Sequence, residues 1–152
     1  MIIQLKSYLT FNIYTMKYLK LYENFNVYDI IQNLKDICLE LNDEGIKTEC
    51  EHNGPNAKYA PLPGQRENIS VGLERESSGD MYEFSDELKW SDINSVIFRM
   101  IDYMNDSGWK PSYVIIDDDS RWIETVDAKE YLSNHFKDEW VFTGLKIDFI
   151  RI

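Results

Sequence analysis

A sequence of 152 residues has the length of one ordinary domain and is long enough to bury a hydrophobic core. Its formal net charge of −11 opposes direct binding to nucleic acid and favours a protein partner with a basic surface, although acidity also keeps small proteins soluble. The two cysteines make no disulfide framework, and neither a signal peptide nor a long apolar stretch is visible. The sequence therefore predicts a cytoplasmic protein without a membrane span.

The start of the chain differs in charge from the rest. Residues 1–25 carry three lysines and one glutamate, a formal sum of +2, so that residues 26–152 carry −13. This asymmetry predicts an N-terminal extension over 1–25, disordered in part, followed by a single domain over 26–152.

The first predicted unit covers residues 26–76 and begins with a helix over 27–43. Asn26 is suited to be its N-cap, and Gly45 is suited to end it in a left-handed conformation. The apolar residues at helical spacing are Ile30, Ile31, Leu34, Ile37, Cys38 and Leu41. A helix with one buried face is expected.

Two strands follow this helix, over 46–52 and 69–76. Alternation in each strand predicts one apolar side towards the helices and one polar side away from them. The polar side of the whole sheet is expected to carry Lys47, Glu49, Glu51, Glu74, Lys146 and Asp148.

The second predicted unit covers residues 90–152 and begins with a helix over 92–106. Ser91 is its expected N-cap, and Gly108 its expected end. The apolar positions are Ile93, Val96, Ile97, Met100, Ile101 and Met104.

Two more strands are predicted in this unit, over 112–118 and 145–152. Apolar residues on both faces of the former predict a central strand, with Pro111 tolerated at its start. In the last strand, Leu145, Ile147 and Phe149 are expected to face the core.

The two units align when the first is shifted by 63 residues. Five apolar positions of the helices then coincide, and Asn42-Asp43-x-Gly45 coincides with Asn105-Asp106-x-Gly108. The repeat predicts an α+β fold in which two αββ units form one antiparallel sheet with both helices on one face. The alternative is a ferredoxin-like βαββαβ arrangement plus a C-terminal strand, with a first strand over 18–23.

Aromatic and apolar residues of the connecting segments are candidates for partner contact, together with acidic residues of the strands. Interface anchors are typically aromatic side chains on exposed loops, although the same rings are also suited to cap the open edge of the sheet. The candidate binding residues are Tyr59, Leu62, Tyr82, Phe84, Glu49, Glu51 and Glu74. Trp90 and the aromatics of 121–140 (Trp122, Tyr131, Phe136 and Trp140) are candidates of the same kind.

A second hypothesis concerns the carboxylates near the end of the third predicted strand. Asp117 and Asp119, with Glu124 nearby, are oxygen ligands suited to a divalent metal, and would make the protein a metal-dependent hydrolase. The other interpretation is a solvated acidic turn. Cys50 and His52 have zinc-ligand spacing, but a pair of core residues is the simpler interpretation. The sequence contains no catalytic motif, so no cofactor and no enzymatic activity are expected.

One short segment has a recognisable likeness. Met16–Phe25, MKYLKLYENF, resembles the N-terminal leader of proteins from tailed phages of the T-even kind. The resemblance implies a start at Met16, cleavage after Glu23 by a phage maturation protease, and packaging of the protein into the virion.

The sequence as a whole thus predicts a small, acidic, non-enzymatic accessory protein of phage type that binds a macromolecule. A host-directed or anti-defence inhibitor in the host cytoplasm fits this description, as does a packaged virion protein. Acidic residues would steer the protein to a basic surface.

Overall fold

A computed structural model describes residues 26–54, 66–75, 87–117 and 119–152. The predicted extension over 1–25 and the alternative strand over 18–23 lie outside the described residues. The elements in chain order are α1 (Val27–Asp43), β1 (Ile46–Asn53), β2 (Asn68–Arg75), β3 (Leu88–Lys89), α2 (Trp90–Asp106), β4 (Trp109–Ile116), β5 (Asp119–Trp122), α3 (Ala128–His135), β6 (Val141–Phe142) and β7 (Gly144–Arg151).

The predicted repeat is present in the fold. The bounds of α2 and β4 lie 63 residues after the bounds of α1 and β1, at both ends of each element. Gly45 and Gly108 follow the two helices with φ of +76° and +83°, a left-handed conformation that glycine adopts without strain. A glycine in the same conformation therefore ends each helix and leads into the strand that follows it.

The strands form one five-stranded sheet in the order β1-β2-β7-β4-β5, with every neighbouring pair antiparallel. Two αββ units thus meet along β2 and β7, and the predicted fold class is confirmed. The ferredoxin-like alternative is wrong, because it needs the strand before α1 to pair with β2. Both edges of β2 are already occupied, by β1 and β7.

The core lies between the sheet and the two long helices, which run antiparallel beside each other. Asn33 donates to Tyr103 Oη over 2.8 Å, and Glu40 pairs with Arg99. A later residue of α1 thus contacts an earlier residue of α2, as in any antiparallel pair of helices. Ile30, Leu34, Ile93 and Ile97 are all fully buried in one cluster. Burial of each such side chain stabilises the fold by about 1.5–3 kcal/mol before entropy is subtracted.

The start of α2 differs from the prediction. The helix begins at Trp90 rather than at residue 92, and Ser91 is not its N-cap; the capping residue is Lys89, whose side chain makes no capping hydrogen bond. Its first N–H groups instead donate to backbone carbonyls of the later insertion, from Trp90 to Trp140 over 2.9 Å and from Ser91 to Asp138 over 3.1 Å. Because these partners lie about 50 residues away in sequence, a local capping rule does not find them.

The position of Pro111 also differs from the prediction. It is the third residue of β4, not its start, and it lies where the pairing of β4 with β7 shifts register between Pro111 and Tyr113. A bulge tolerates proline because one ladder hydrogen bond is missing there in any case. The extra residue, Ser112, donates its hydroxyl to the carbonyl of Asp148 over 3.2 Å. As predicted from its apolar faces, β4 has a neighbouring strand on each side.

Candidate binding surfaces

The sheet face opposite the helices carries the polar side chains that alternation predicts, and Glu49, Glu51 and Glu74 are exposed on it. Two of these three carboxylates are compensated by one cation. Lys47 Nζ lies 2.7 Å from Glu49 and 3.2 Å from Glu74, and hydrogen bonds to them raise the pKa of this lysine. Within the described part of the chain, Glu51 makes no ion pair. The strand carboxylates are therefore a weaker acidic patch than the sequence suggests.

The two long helices carry a larger excess of negative charge than the sheet face does. The outward sides of α1 and α2 carry seven exposed acidic residues and two exposed basic ones, Lys35 and Arg99. The seven are Asp29, Asp36, Glu40, Asp43, Asp92, Asp102 and Asp106, and we refer to them as the acidic helical surface. Glu40 pairs with Arg99, and Asp102 pairs with Lys129 at 2.9 Å. The other five form no ion pair with any described residue.

A row of outward side chains crosses all five strands. The pairing registers place Glu51 opposite Ser70, Ser70 opposite Asp148, Asp148 opposite Tyr113, and Tyr113 opposite Trp122. We refer to these five residues as the cross-strand row. Tyr113 and Trp122 are in contact, with ring centroids 4.6 Å apart and ring planes at 50°. Trp122 is nonetheless 77% exposed, so that a large aromatic surface remains available to a ligand.

The row borders a cleft of about 410 Å³ on the open sheet face. Its lining includes Tyr113, Trp122 and Asp148, together with Arg66 and Glu124, which are paired at 2.7 Å. This volume lies within the range of roughly 300–1,000 Å³ that is typical of ligand pockets.

Most other aromatic candidates of the second unit have structural roles. Trp90 is buried, and its ring centroid lies 5.0 Å from that of Phe136, which also contacts Trp140 at 5.5 Å. Tyr131 stacks on His135 at 4.0 Å. The contact of Trp90 with Phe136 fastens the insertion to the start of α2, so the interpretation of Trp90 as an exposed anchor is wrong.

The carboxylates proposed as metal ligands are engaged by separate partners. Asp117 Oδ1 accepts hydrogen bonds from the N–H and hydroxyl of Thr143, both at 2.6 Å, and from the N–H of Gly144 at 3.1 Å. Burial raises the pKa of Asp117, but these hydrogen bonds outweigh it, so the pKa lies below its ordinary value. Asp117 has a φ of +52° and acts as a cap that ties the end of β4 to the start of β7.

The two remaining carboxylates are ion-paired elsewhere. Asp119 lies 2.8 Å from Arg121, and Glu124 contacts both Arg66 and Lys110. Hydrogen bonds from Arg66 and Lys110 lower the pKa of Glu124 despite some desolvation. In the ranges that the structure describes, no three His, Cys, Asp or Glu residues are grouped as a metal site would require.

Cys50 and His52 face the core side of β1, as their spacing predicts, but they have different surroundings. His52 Nε2 lies 2.9 Å from Glu67 Oε1. Burial raises the pKa of the Cys38 thiol to about 12 and that of Cys50 to about 11. Both thiols are therefore protonated at neutral pH and poor nucleophiles, which agrees with their interpretation as core residues.

Several predicted binding residues cannot be placed on these surfaces. Tyr59, Leu62, Tyr82 and Phe84 lie outside the described residues. The cross-strand row, in contrast, joins residues that sequence reasoning treated separately or did not single out, namely Tyr113, Trp122 and Asp148. Their adjacency depends on strand pairing and on the bulge in β4, and only the outward position of Asp148 followed from alternation.

Comparison of the chain with known protein families, with curated proteins and with solved structures found no match. None of the described helices combines the length and the apolar character required to cross a bilayer.

Proposed function

We propose that this protein is a small, non-enzymatic binding protein that attaches through its acidic helical surface to a protein partner with a basic surface. The observation that carries the proposal is the ratio of seven exposed acidic to two exposed basic residues on α1 and α2. Five of the seven have no ion-pair partner among the described residues, so their field is not cancelled locally.

A surface with this excess of acidic residues mainly affects the rate of association and the choice of partner. Complementary charges accelerate association and reject partners of like charge, and the attraction weakens as salt shortens the screening length to about 8 Å at 0.15 M. A strong dependence of binding on ionic strength is the signature expected for this mode.

The proposal includes an origin in a tailed phage. Its support is the likeness of Met16–Phe25 to T-even-type leaders, together with the small size and acidity of the chain. A host-directed or anti-defence inhibitor, or a packaged virion protein, is the role that this combination favours. The hydrolase hypothesis has no comparable support, because Asp117, Asp119 and Glu124 each hold a different partner.

The test is affinity capture from lysate of the host bacterium at 50 mM and 500 mM salt. The first variant combines Asp36→Asn, Asp43→Asn and Asp106→Asn on the helices. The matched control, with the same change in net charge, combines Glu49→Gln, Glu51→Gln and Glu74→Gln on the sheet.

The proposal requires a partner that is captured at low salt, lost at high salt, lost with the helical variant and retained with the sheet variant. Capture that is insensitive to salt would contradict the electrostatic mode. A loss with the sheet variant alone would move the interface to the opposite face.

A further inference from the structure

We propose that Asp148, Tyr113 and Trp122 form a binding site for an arginine side chain of a protein partner. The site lies on the open face of the sheet, opposite the acidic helical surface, and does not depend on the function proposed above. It would give the protein a second point of attachment with a defined chemistry.

The aromatic pair has a geometry that suits a planar cation. Tyr113 and Trp122 are direct cross-strand partners on β4 and β5, so their side chains leave the sheet on the same side about 5 Å apart. Their ring centroids are 4.6 Å apart and the ring planes meet at 50°, so that Tyr113 supports the indole from one side. Trp122 is 77% exposed, which means that no described part of the chain covers the rest of its indole.

A partly buried carboxylate lies beside the two rings. Asp148 is the cross-strand partner of Tyr113, and its side chain is 22% exposed. Its Oδ1 accepts a hydrogen bond of 2.6 Å from the hydroxyl of Ser70, which orients the group and leaves Oδ2 for a ligand. The ammonium of Lys146 is 4.0 Å away, at the limit of an ion pair. A partly desolvated carboxylate next to aromatic faces is the chemistry that recognises organic cations.

The charge of the cross-strand row favours a cationic ligand. Glu51 and Asp148 give the row two carboxylates, and it contains no basic residue. The cations near the row are Arg66 and Lys110, which contact Glu124 at 2.7 and 3.4 Å, and Lys146, which lies 4.0 Å from Asp148. The row itself is therefore better suited to a cation than to a phosphate or carboxylate.

Arginine fits these groups better than lysine. A planar guanidinium can stack on an indole while it donates hydrogen bonds to a carboxylate, whereas an ammonium is a compact, strongly hydrated charge. A protein side chain is also the occupant expected at an exposed Trp and Tyr pair, because these residues and Arg are over-represented in interface hot spots.

The test is a titration of the full-length protein with the peptide acetyl-Gly-Arg-Gly-Arg-Gly-amide, followed by the NMR signals of the tryptophan indole N–H groups. The comparison peptides carry citrulline, which is neutral and nearly isosteric with arginine, or lysine in place of arginine. We expect a saturable shift of the Trp122 signal with the arginine peptide, weaker binding of the lysine peptide and no saturable shift with the citrulline peptide.

The variants are Asp148→Asn and Trp122→Ala, each expected to raise the dissociation constant at least about fivefold. The matched controls are Trp140→Ala, which removes another exposed indole, and Glu139→Gln, which removes an exposed carboxylate of the insertion; both should bind as the wild type does. Trp122→Phe, which keeps a ring, should lose less affinity than Trp122→Ala.

The proposal is overturned if the citrulline peptide binds equally, if Asp148→Asn has no effect, or if the indole signals of other tryptophans shift while that of Trp122 does not. If Trp122→Ala does not fold, the difference in binding between the arginine and citrulline peptides, measured on the wild type, still tests the proposal. If the arginine peptide binds as expected but no salt-sensitive partner is captured, this site stands and the helical proposal fails.

Discussion

Replacement of Asp117 distinguishes a structural role in the turn from a role as a metal ligand. If the role is structural, the replacement should destabilise the protein. Asp117→Ala removes the acceptor of three hydrogen bonds, each contributing roughly 0.5–1.5 kcal/mol net. It also places a residue other than glycine, asparagine or aspartate at a φ of +52°, which costs about 1–2 kcal/mol. Since the site is exposed and water replaces part of what is lost, we expect a total of about 2–4 kcal/mol.

A loss of this size should be visible in thermal unfolding followed by circular dichroism. At about 2–4 °C per kcal/mol for a chain of this length, the Tm of Asp117→Ala should fall by at least roughly 4 °C. Asp117→Asn keeps an acceptor and tolerates the left-handed conformation, so it should lose less. Asp119→Asn is the matched control, because its pair with Arg121 is exposed and contributes at most about 1 kcal/mol.

The contribution of Asp117 to stability should decrease in acid. Because the folded-state pKa of Asp117 is lowered, its stabilising contribution is present at neutral pH and is lost as the pH falls through the folded-state pKa. The difference in stability between wild type and Asp117→Asn should shrink in acid. An unchanged Tm in Asp117→Ala, or a Tm that magnesium or manganese raises in the wild type but not in this variant, would refute the structural role.

Three further changes probe the helix stops, the thiols and the core. Gly108→Ala should lower the free energy of unfolding by about 1–2 kcal/mol, measured by urea denaturation, because φ is +83° there. Cys38 and Cys50 should react with a disulfide reagent at pH 8 far more slowly in the native protein than in urea, since burial raises the pKa of both thiols; equal rates would show that they are accessible. Leu34→Ala should cost about 2–5 kcal/mol as a fully buried residue, whereas Leu39→Ala, which is 56% exposed, should change stability little.

Local patterns were sufficient for the repeated part of the fold. Helical spacing predicted α1 with its bounds, Asn26 caps it with a 3.2 Å bond from the N–H of Tyr28, and Gly45 ends it as expected. The 63-residue shift then related the same unit to α2 and β4, although their predicted starts, at residues 92 and 112, were two and three residues late. These features depend on short-range chemistry that each segment contains by itself.

The insertion between β4 and β7 was not predicted as structure, for a physical reason. All four residues of β5 are exposed, so the strand has no alternating apolar side and exists because it pairs with β4. The start of α2 depends on carbonyls of the same insertion. The cross-strand row was not predicted either, because it requires the pairing of β5 with β4 and the bulge at Pro111. Neither feature is encoded by a local sequence pattern.

Two aspartates of the acidic helical surface lie where they oppose helix stability, as expected if they are kept for binding. Asp43 and Asp106 occupy equivalent positions in the last turns of α1 and α2, where the helix dipole is negative, and neither last turn contains a basic residue. Carboxylates at that end are unfavourable by about 0.3–1 kcal/mol each.

The double variant Asp43→Asn/Asp106→Asn should therefore be more stable than the wild type, by up to roughly 2 kcal/mol in low salt, and the gain should shrink as salt is added. Asp29→Asn, in the first turn of α1, should have the opposite effect on stability. If the double variant is more stable and also binds the basic partner less well, the two aspartates are retained for binding at the expense of the fold. A variant of unchanged or lower stability would mean that the helix ends tolerate these charges, and the argument for selection would fail.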